Sequence, residues 1–361
     1  MVIKLKKIMY IMNVPWNSIK QRHHFIAENL MQYYKVDVFL RYEFKYKNLT
    51  SSYLHYLYRI PLQRYEPILY LNQWLIKKQI SKQVKKYDII WLTTPQQYSF
   101  IESSLSSQQK LIYDCMDDML CFPEVIKSKR LYNTIFNNEK KILERADFVF
   151  TSAESLKNIL QRRYNTKRKI YVENNAIEKN QACYCKRSNN FNHTNSIKRI
   201  TYIGAIAPWI DFELLEQSIK IHNDIEYHFY GPLLPGVKIP NADKFYFHGA
   251  IKHNKIYTVM EDANLLIMPF KKNKLIMSVN PIKLYEYIKS STPAISVKYP
   301  ETEKFSKFVY LYDTSSDFMH YIDLMCSEQL EKLGTENEIN HFLSNNTWES
   351  RVKDIFSIVG P

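Results

Sequence analysis

Short runs of β-branched and aromatic residues alternate with amphipathic stretches along almost the whole chain. In the first half, Lys7–Asn13, Val36–Leu40, Asp88–Leu92, Leu111–Asp114, Phe148–Thr151 and Lys169–Val172 predict strands. Helical periodicity fills the gaps at Ser18–Tyr34, Glu66–Lys86, Lys127–Arg145 and Ala153–Arg163. The pattern stops between Asn174 and Ser196, where polar residues such as Asn189, Asn190, Asn192 and His193 dominate, as in an interdomain linker. It then restarts, with strands at Arg199–Ile203, Glu226–Tyr230, Lys244–Phe247, Asn264–Met268, Pro293–Val297 and Val309–Leu311. Asp211–Lys220, His253–Asp262, Pro281–Ser290, Ser315–Leu330 and a final stretch, Trp348–Val359, are helical. Near-continuous apolar strands separated by helices imply parallel sheets covered on both faces. Two such series imply an α/β fold of two facing, Rossmann-like doubly wound domains. The expected boundaries are 1–178 and 179–346, with 347–361 as a final helix.

At 361 residues the chain suits two domains better than one. No apolar run reaches the length of a membrane-spanning helix, and the basic start, Met1 to Asn13, reads as a first strand rather than a signal peptide. The five cysteines are odd in number and scattered, and Cys183-Tyr-Cys185 lacks zinc-site spacing, so reduced thiols and a cytoplasmic location are expected. The net charge of +14 is uneven: residues 1–175 hold 29 Lys+Arg against 15 Asp+Glu, while residues 176–361 hold 21 of each. The basic half suits nucleic acid, an anionic membrane surface or an acidic substrate. Several of its lysines (Lys77, Lys78, Lys82, Lys85, Lys86) lie on a helix rich in aromatics and leucines, which leans toward a peripheral place on the inner face of the cell membrane. None of the six glycines lies before residue 176, and neither a Walker A loop nor G-x-G-x-x-G occurs, so P-loop phosphoryl transfer and a dinucleotide fingerprint are excluded.

Any phosphate site must then rest on helix N-termini and side chains. Asn280-Pro281 opens a helix as cap and first residue, and Lys283 stands in its first turn, where the dipole disfavours a cation. A solvated lysine, or an ion pair with Glu286, accounts for that placement blandly. The sharper reading is that Lys283 and the free N–H groups hold an anion such as a diphosphate, with Glu286 accepting hydrogen bonds from ligand hydroxyls. Ligands of doubly wound sheets sit beyond the strands' carboxyl ends, and four consecutive strand ends deliver Gly204, Gly231, His248-Gly249 and Lys271, Lys272 and Lys274 toward one place. Ser18 can cap the helix after the first strand, and Arg22, His23 and His24 fall in its first turns. Adjacent histidines cannot share a helical face as metal ligands; one packed and one solvated is the plain expectation, and substrate contact through Arg22 or a histidine the functional one. Asp114, Asp117 and Asp118 cluster at a strand's end, where like charges raise one another's pKa; Asp117 is favoured as a general base, with Asp118 and Asp114 as rivals and helix capping as the alternative.

Trp16…Gln21-Arg22-His23-His24, Tyr113-Asp114-x-x-Asp117-Asp118, Tyr202-x-Gly204-Ala-x-x-x-Trp209-x-Asp211 and Pro269-Phe270…Asn280-Pro281-x-Lys283-x-Tyr285-Glu286-Tyr287 together resemble bacterial GT-B glycosyltransferases, closest to those that build capsular, exopolysaccharide and teichuronic-acid chains. The resemblance runs from Ile8 to about Asp313, and its P-x-K-x-Y-E-Y block is the most specific part. It implies a nucleotide-sugar donor, usually a UDP-sugar, held by the second domain, and an acceptor, often lipid-linked, on the first. Carried onto matching positions, Glu286 binds the ribose hydroxyls, Lys283 the diphosphate, Gly231 lies near the nucleoside, and Asn280 and Tyr285 belong to the same donor block. An aspartate of the 114–118 cluster is the base, Asp117 or Asp118; Trp16, Arg22 and His23 contact acceptor or donor; the final helix crosses back onto the first domain. Two departures bear on stereochemistry. Retaining relatives carry a second glutamate where this chain has Ser278, and a basic residue where it has Ala205, Ile206 and Ala207. The expectation is an inverting transfer onto a growing surface polysaccharide, with no metal and no cofactor beyond the co-substrate. Rival readings are a nucleotide-sugar epimerase on the same scaffold, a non-catalytic binder of nucleic acid or of an anionic surface, and a degenerate partner subunit. Nucleic acid is disfavoured because no RRM, KH or helix-turn-helix signature occurs.

Overall fold

The computed structural model of the chain describes residues 5–18, 20–42, 49–61, 66–185, 197–240, 243–252 and 255–361. It divides into two compact units, Met1–Asn175 with Trp348–Pro361, and Ala176–Thr347. About half of the expected linker, 186–196, lies outside the described residues.

The first unit holds a parallel sheet of seven strands in the order β3-β2-β1-β4-β5-β6-β7. In chain order its elements are β1 (Lys7–Met12), α1 (Arg22–Leu30), β2 (Lys35–Arg41), β3 (Leu54–Leu57), α2 (Glu66–Val84), β4 (Ile89–Leu92), α3 (Tyr98–Ile101), β5 (Lys110–Cys115), α4 (Pro123–Ile126), α5 (Lys129–Arg145), β6 (Phe148–Thr151), α6 (Glu154–Tyr164) and β7 (Tyr171–Val172). Strand β3 is not legible in the sequence: it is a four-residue edge strand in an aromatic, charged stretch without alternation. The helix expected over Lys127–Arg145 begins at Lys129 behind a Ser128 cap whose hydroxyl accepts the Leu131 N–H, and Pro123 starts a separate turn. The last helix, α13 (Trp348–Val359), packs on α1 within this unit. Phe25 stacks on Trp348 at 5.1 Å, Tyr33 stacks on Phe356 at 4.4 Å, and the Tyr34 hydroxyl donates to the Gly360 carbonyl at 2.6 Å.

The second unit has six parallel strands ordered β10-β9-β8-β11-β12-β13. Its elements are β8 (Lys198–Ile203), α7 (Phe212–Ile221), β9 (Ile225–Tyr230), β10 (Phe245–Gly249), α8 (Ile256–Glu261), β11 (Leu265–Met268), α9 (Ile282–Lys289), β12 (Ala294–Val297), α10 (Pro300–Glu303), β13 (Tyr310–Tyr312), α11 (Ser315–Cys326) and α12 (Glu336–Asn345). Asp211 caps α7 as read, accepting the Leu214 N–H at 3.3 Å. In both sheets the strand order reverses once, between β1 and β4 and between β8 and β11. A doubly wound sheet binds ligands outside such a reversal, because the flanking loops part there.

Candidate active site

In the second unit, β11 pairs with β8 only through Leu265–Ile200 and Leu266–Thr201, so their carboxyl ends splay. Buried Tyr287 of α9 bridges the gap: its hydroxyl accepts the Ile203 N–H at 3.0 Å and donates to the Ile267 carbonyl at 3.2 Å. The helix is thereby pinned with its first turn at the reversal. Asn280 was expected as N-cap; instead Pro281 holds the cap position, extended at φ −82° and ψ 109°, and the helix begins at Ile282. A proline in that conformation ends the preceding turn and leaves the first N–H groups of α9 outside the helical ladder.

Lys283 is held without a carboxylate partner. Its Nζ donates to the Tyr202 hydroxyl at 3.3 Å and lies 5.0 Å from the Tyr202 ring centre and 4.8 Å from that of Phe270. No Asp or Glu of the described residues stands within ion-pair distance of it. Desolvation pushes its ammonium down to about 8, opposed by the nearby charge of Glu286. A cation–π contact is worth about 0.5–2 kcal/mol, whereas desolvating an ammonium costs several. The balance favours an arriving anion. Gly204 and Gly231 set how closely the strand ends approach the lysine. With φ of 146°, Gly204 lies where an added Cβ would stand 2.9 Å from Lys283 Nζ. At Gly231, with φ of 155°, an added Cβ would stand 1.9 Å from the Gly204 carbonyl oxygen, so the ends of β8 and β9 meet backbone to backbone.

Other expected donor residues have different surroundings. Tyr285 is buried between Phe305 (5.0 Å, edge-on) and Phe342 (5.9 Å, stacked), a packing position. Asn280 is buried at the foot of the helix, and Glu286 is half-buried one turn beyond Lys283. Ser278 is fully buried and donates its hydroxyl to the Leu275 carbonyl at 2.8 Å. The sequence reading passed over Tyr202 and Phe270 as site residues, and it passed over a stacked ladder at the ends of β9 and β10. His248 stacks on Tyr230 at 4.3 Å and on His228 at 5.1 Å, the two imidazoles lying 2.8 Å apart between nitrogens. The signal was present in the two-residue period of His228 and Tyr230, and of Tyr246 and His248.

In the first unit the three acids separate. Asp114 is fully buried at the end of β5 and takes a bidentate bond from Arg22, with Nε 3.1 and 3.0 Å from its two oxygens and Nη2 at 2.8 Å. Arg22 also donates to the Glu173 carbonyl at 2.6 Å, so this buried pair ties α1 to β5 and to the end of β7. The structure thus commits Arg22, expected to contact substrate, to the scaffold. Asp118 is buried and clamped by Arg163 (Nη1 at 2.8 Å, Nη2 at 2.5 Å), while also capping the next turn through the Leu120 N–H. Both of its oxygens are engaged by that guanidinium. Asp117 is half-exposed, makes no side-chain hydrogen bond or ion pair among the described residues, and is pushed up to about 6 by desolvation and then by Asp118, against Arg22. The expected solvated histidine does not exist. His24 is buried and reciprocates the helix cap, its Nδ1 accepting the Gln21 N–H at 3.1 Å and its Nε2 meeting the Pro15 carbonyl at 3.1 Å. Gln21 therefore caps α1, and Ser18, the expected cap, donates instead to the Pro15 carbonyl at 2.7 Å. His23 places Nδ1 2.7 Å from Met116 Sδ and leaves a buried Nε2 without a partner; burial holds it neutral, down at about 3. Trp16 packs edge-on against Tyr53 at 5.8 Å and, tilted, against His24 at 5.5 Å.

On α2, Tyr70, Leu71 and Trp74 are 44%, 43% and 54% exposed, and Lys78 lies over the Trp74 ring at 4.9 Å. A groove of about 820 Å³ between β3 and this helix is lined by Leu54, Leu57, Ile60, Leu75, Lys78 and Lys82 among others.

No family model matches the chain. Over 266 residues it is 26% identical to TuaH of Bacillus subtilis, named provisionally as a teichuronic acid biosynthesis glycosyltransferase. The match covers 68% of this chain and spans 64%, under two thirds, of the length of that relative. Among solved structures, the chain is similar to Anabaena HepE in complex with UDP and glucose (TM-score 0.72, 10% identity, 98% of this chain and 99% of that one). It is similar also to Thermosynechococcus elongatus sucrose-phosphate synthase (TM-score 0.76, 15% identity, 98% of each chain). The fold is GT-B. A third similar structure is that of a trehalose-6-phosphate synthase studied for transfer with retention (TM-score 0.71, 9% identity, 98% of each chain). The motif resemblance to bacterial GT-B glycosyltransferases and the two-domain α/β reading are borne out. No described helix is long and apolar enough to cross a membrane.

Proposed function

We propose that the protein is a glycosyltransferase that moves a sugar from a UDP-sugar to a hydroxyl of a growing, lipid-linked surface polysaccharide. The observation that carries this reading is Lys283: a desolvated cation without a carboxylate partner, in the first turn of α9 at the strand reversal, with the backbone of Gly204 drawn close to its Nζ. Lys283 and the N–H groups of α9 bind the diphosphate, Glu286 the ribose hydroxyls, and the Tyr230–His248 ladder offers a planar surface for a base. UDP and glucose bound to HepE, and the naming of TuaH, support the donor class and the polymer class.

The chemistry we infer is inverting and metal-independent. Asp117 takes the proton of the acceptor hydroxyl, the resulting oxygen attacks the anomeric carbon, and the bond to the diphosphate breaks with its electron pair on the departing UDP. Lys283 and the dipole of α9 stabilise that charge. Ser278, with its hydroxyl spent on Leu275, and the apolar Ala205–Ile206–Ala207 loop support inversion, since neither offers the charged groups of retaining enzymes. The trehalose-6-phosphate synthase neighbour was studied for transfer with retention, so the stereochemistry is where this reading parts from that neighbour. The exposed aromatics and lysines of α2 support a peripheral position on an anionic cytoplasmic membrane face, where a lipid-linked acceptor resides.

The test is thermal shift against UDP, GDP, dTDP and CMP, followed by turnover assays. UDP is expected to raise Tm, and Lys283→Ala and Glu286→Ala to remove most of that rise. If no nucleotide raises Tm, or both variants respond as the parent does, the donor site is wrong. Conversion of a UDP-sugar without any acceptor would mark an epimerase instead.

A further inference from the structure

At the amino end of the second sheet, remote from the strand ends that carry Gly204 and Gly231, four metal-ligand side chains from three elements converge. His222 ends α7, Asp224 immediately precedes β9, and Asp323 and Cys326 sit three residues apart on one face of α11. Ligand atoms of His222, Asp224 and Cys326 all lie within 4.8 Å of one another, and Asp323 Oδ1 is 2.9 Å from His222 Nε2. That nitrogen is buried, yet it makes no hydrogen bond of acceptable geometry, so the carboxylate beside it is a close contact rather than an aligned acceptor. The backbone holds the group in place: the Lys198 N–H donates to the Asp224 carbonyl at 2.6 Å. Lys198 is turned to Glu328 at 2.5 Å. A cation is what this arrangement lacks.

We propose that His222, Asp224, Asp323 and Cys326 bind one divalent transition-metal ion, zinc by preference. One imidazole, one thiolate and two carboxylates form a mixed N/S/O set that suits a borderline-soft ion of tetrahedral habit and excludes Mg²⁺ and Ca²⁺, which favour all-oxygen shells. Bond lengths of 2.0–2.3 Å around zinc put ligands about 3.5 Å apart, so His222, Asp224 and Cys326 must close by up to roughly 1 Å while Asp323 draws back from His222. The two aspartates can supply that movement, being exposed. Binding releases the Cys326 proton and staples α7 to α11 across the start of β9. The site is separate from the metal-independent chemistry proposed above and does not rest on it.

Titration of reduced, chelator-treated protein with Co²⁺ reads the thiolate ligand directly, through a sulfur-to-cobalt charge-transfer band. One equivalent is expected to bind, with the band bleached by Zn²⁺, absent in Cys326→Ser and kept in a Cys183→Ser/Cys185→Ser double variant. Asp224→Asn, which alters an exposed side chain, is expected to weaken Co²⁺ at least tenfold while the far-ultraviolet circular dichroism is unchanged. Absence of the band in the parent protein, or a band that survives Cys326→Ser and vanishes with Cys183 and Cys185, overturns the proposal.

Discussion

Three aspartates within five positions look equivalent in the sequence and are not equivalent in the fold. Asp114 and Asp118 each have an arginine, Arg22 and Arg163, while Asp117 has none and carries the raised pKa. A base must be ionised to accept a proton, and the leaving diphosphate needs Lys283 protonated. With Asp117 pushed up to about 6 and Lys283 down to about 8 in the free protein, kcat/KM is expected to rise through about 6 and fall through about 8. Asp117→Asn should lower turnover at least a hundredfold, within the usual span of general-base loss, and leave the UDP-induced Tm shift intact. Retained turnover, or an unchanged acidic limb of the profile, would sink the assignment. For stability the sign is opposite. A carboxylate whose folded pKa is raised stabilises the fold least when ionised, so Asp117 detracts from stability progressively between about pH 4 and 6 and fully above that.

At the scale of the element, α9 is placed by one hydroxyl. Tyr287 meets two strands where their pairing has ended, and its bonds to Ile203 and Ile267 orient the first turn that carries Lys283. Tyr287→Phe keeps the ring's packing and strands a buried N–H and carbonyl, at a cost of about 1–3 kcal/mol. The expected result in chemical denaturation is a lowered midpoint with an unchanged slope. A rise in the KM for UDP-sugar of severalfold should accompany it, since the lysine is no longer held over Tyr202 and Phe270. A lowered midpoint with unaltered KM would show that the tyrosine serves folding alone.

For the whole molecule, the distribution of charge makes its own prediction. The excess of positive residues lies in the first half, and its helix α2 displays Tyr70, Leu71 and Trp74 beside Lys77, Lys78 and Lys82. Lysines near an anionic bilayer contribute about 1 kcal/mol each. Co-sedimentation with vesicles rich in anionic phospholipid should therefore fall about a hundredfold in affinity when those three lysines become glutamates, and should weaken with salt. Neutral phosphatidylcholine vesicles should bind poorly throughout, and the UDP response should be retained. Equal binding of parent and triple variant would remove the membrane surface from the account.

Periodicity alone determined the two α/β series, their strand sequence and the helix that ends the chain, because burial on both faces of a parallel sheet writes itself into apolar runs. The absence of glycine-rich phosphate loops and the P-x-K-x-Y-E-Y block were equally plain, being local. Strand β3 was not legible, since an edge strand of four residues has no alternation to display, and neither was the helix cap at Gln21, which depends on His24 turning back upon it. What only the tertiary structure decided is which charges are free. Arg22 is separated from Asp114 by 92 positions and Asp118 from Arg163 by 45, distances at which no pattern in the chain announces a pair. Lys283 owes its aromatic surroundings to Tyr202, 81 residues earlier, a neighbour that only the pairing of distant strands brings to it.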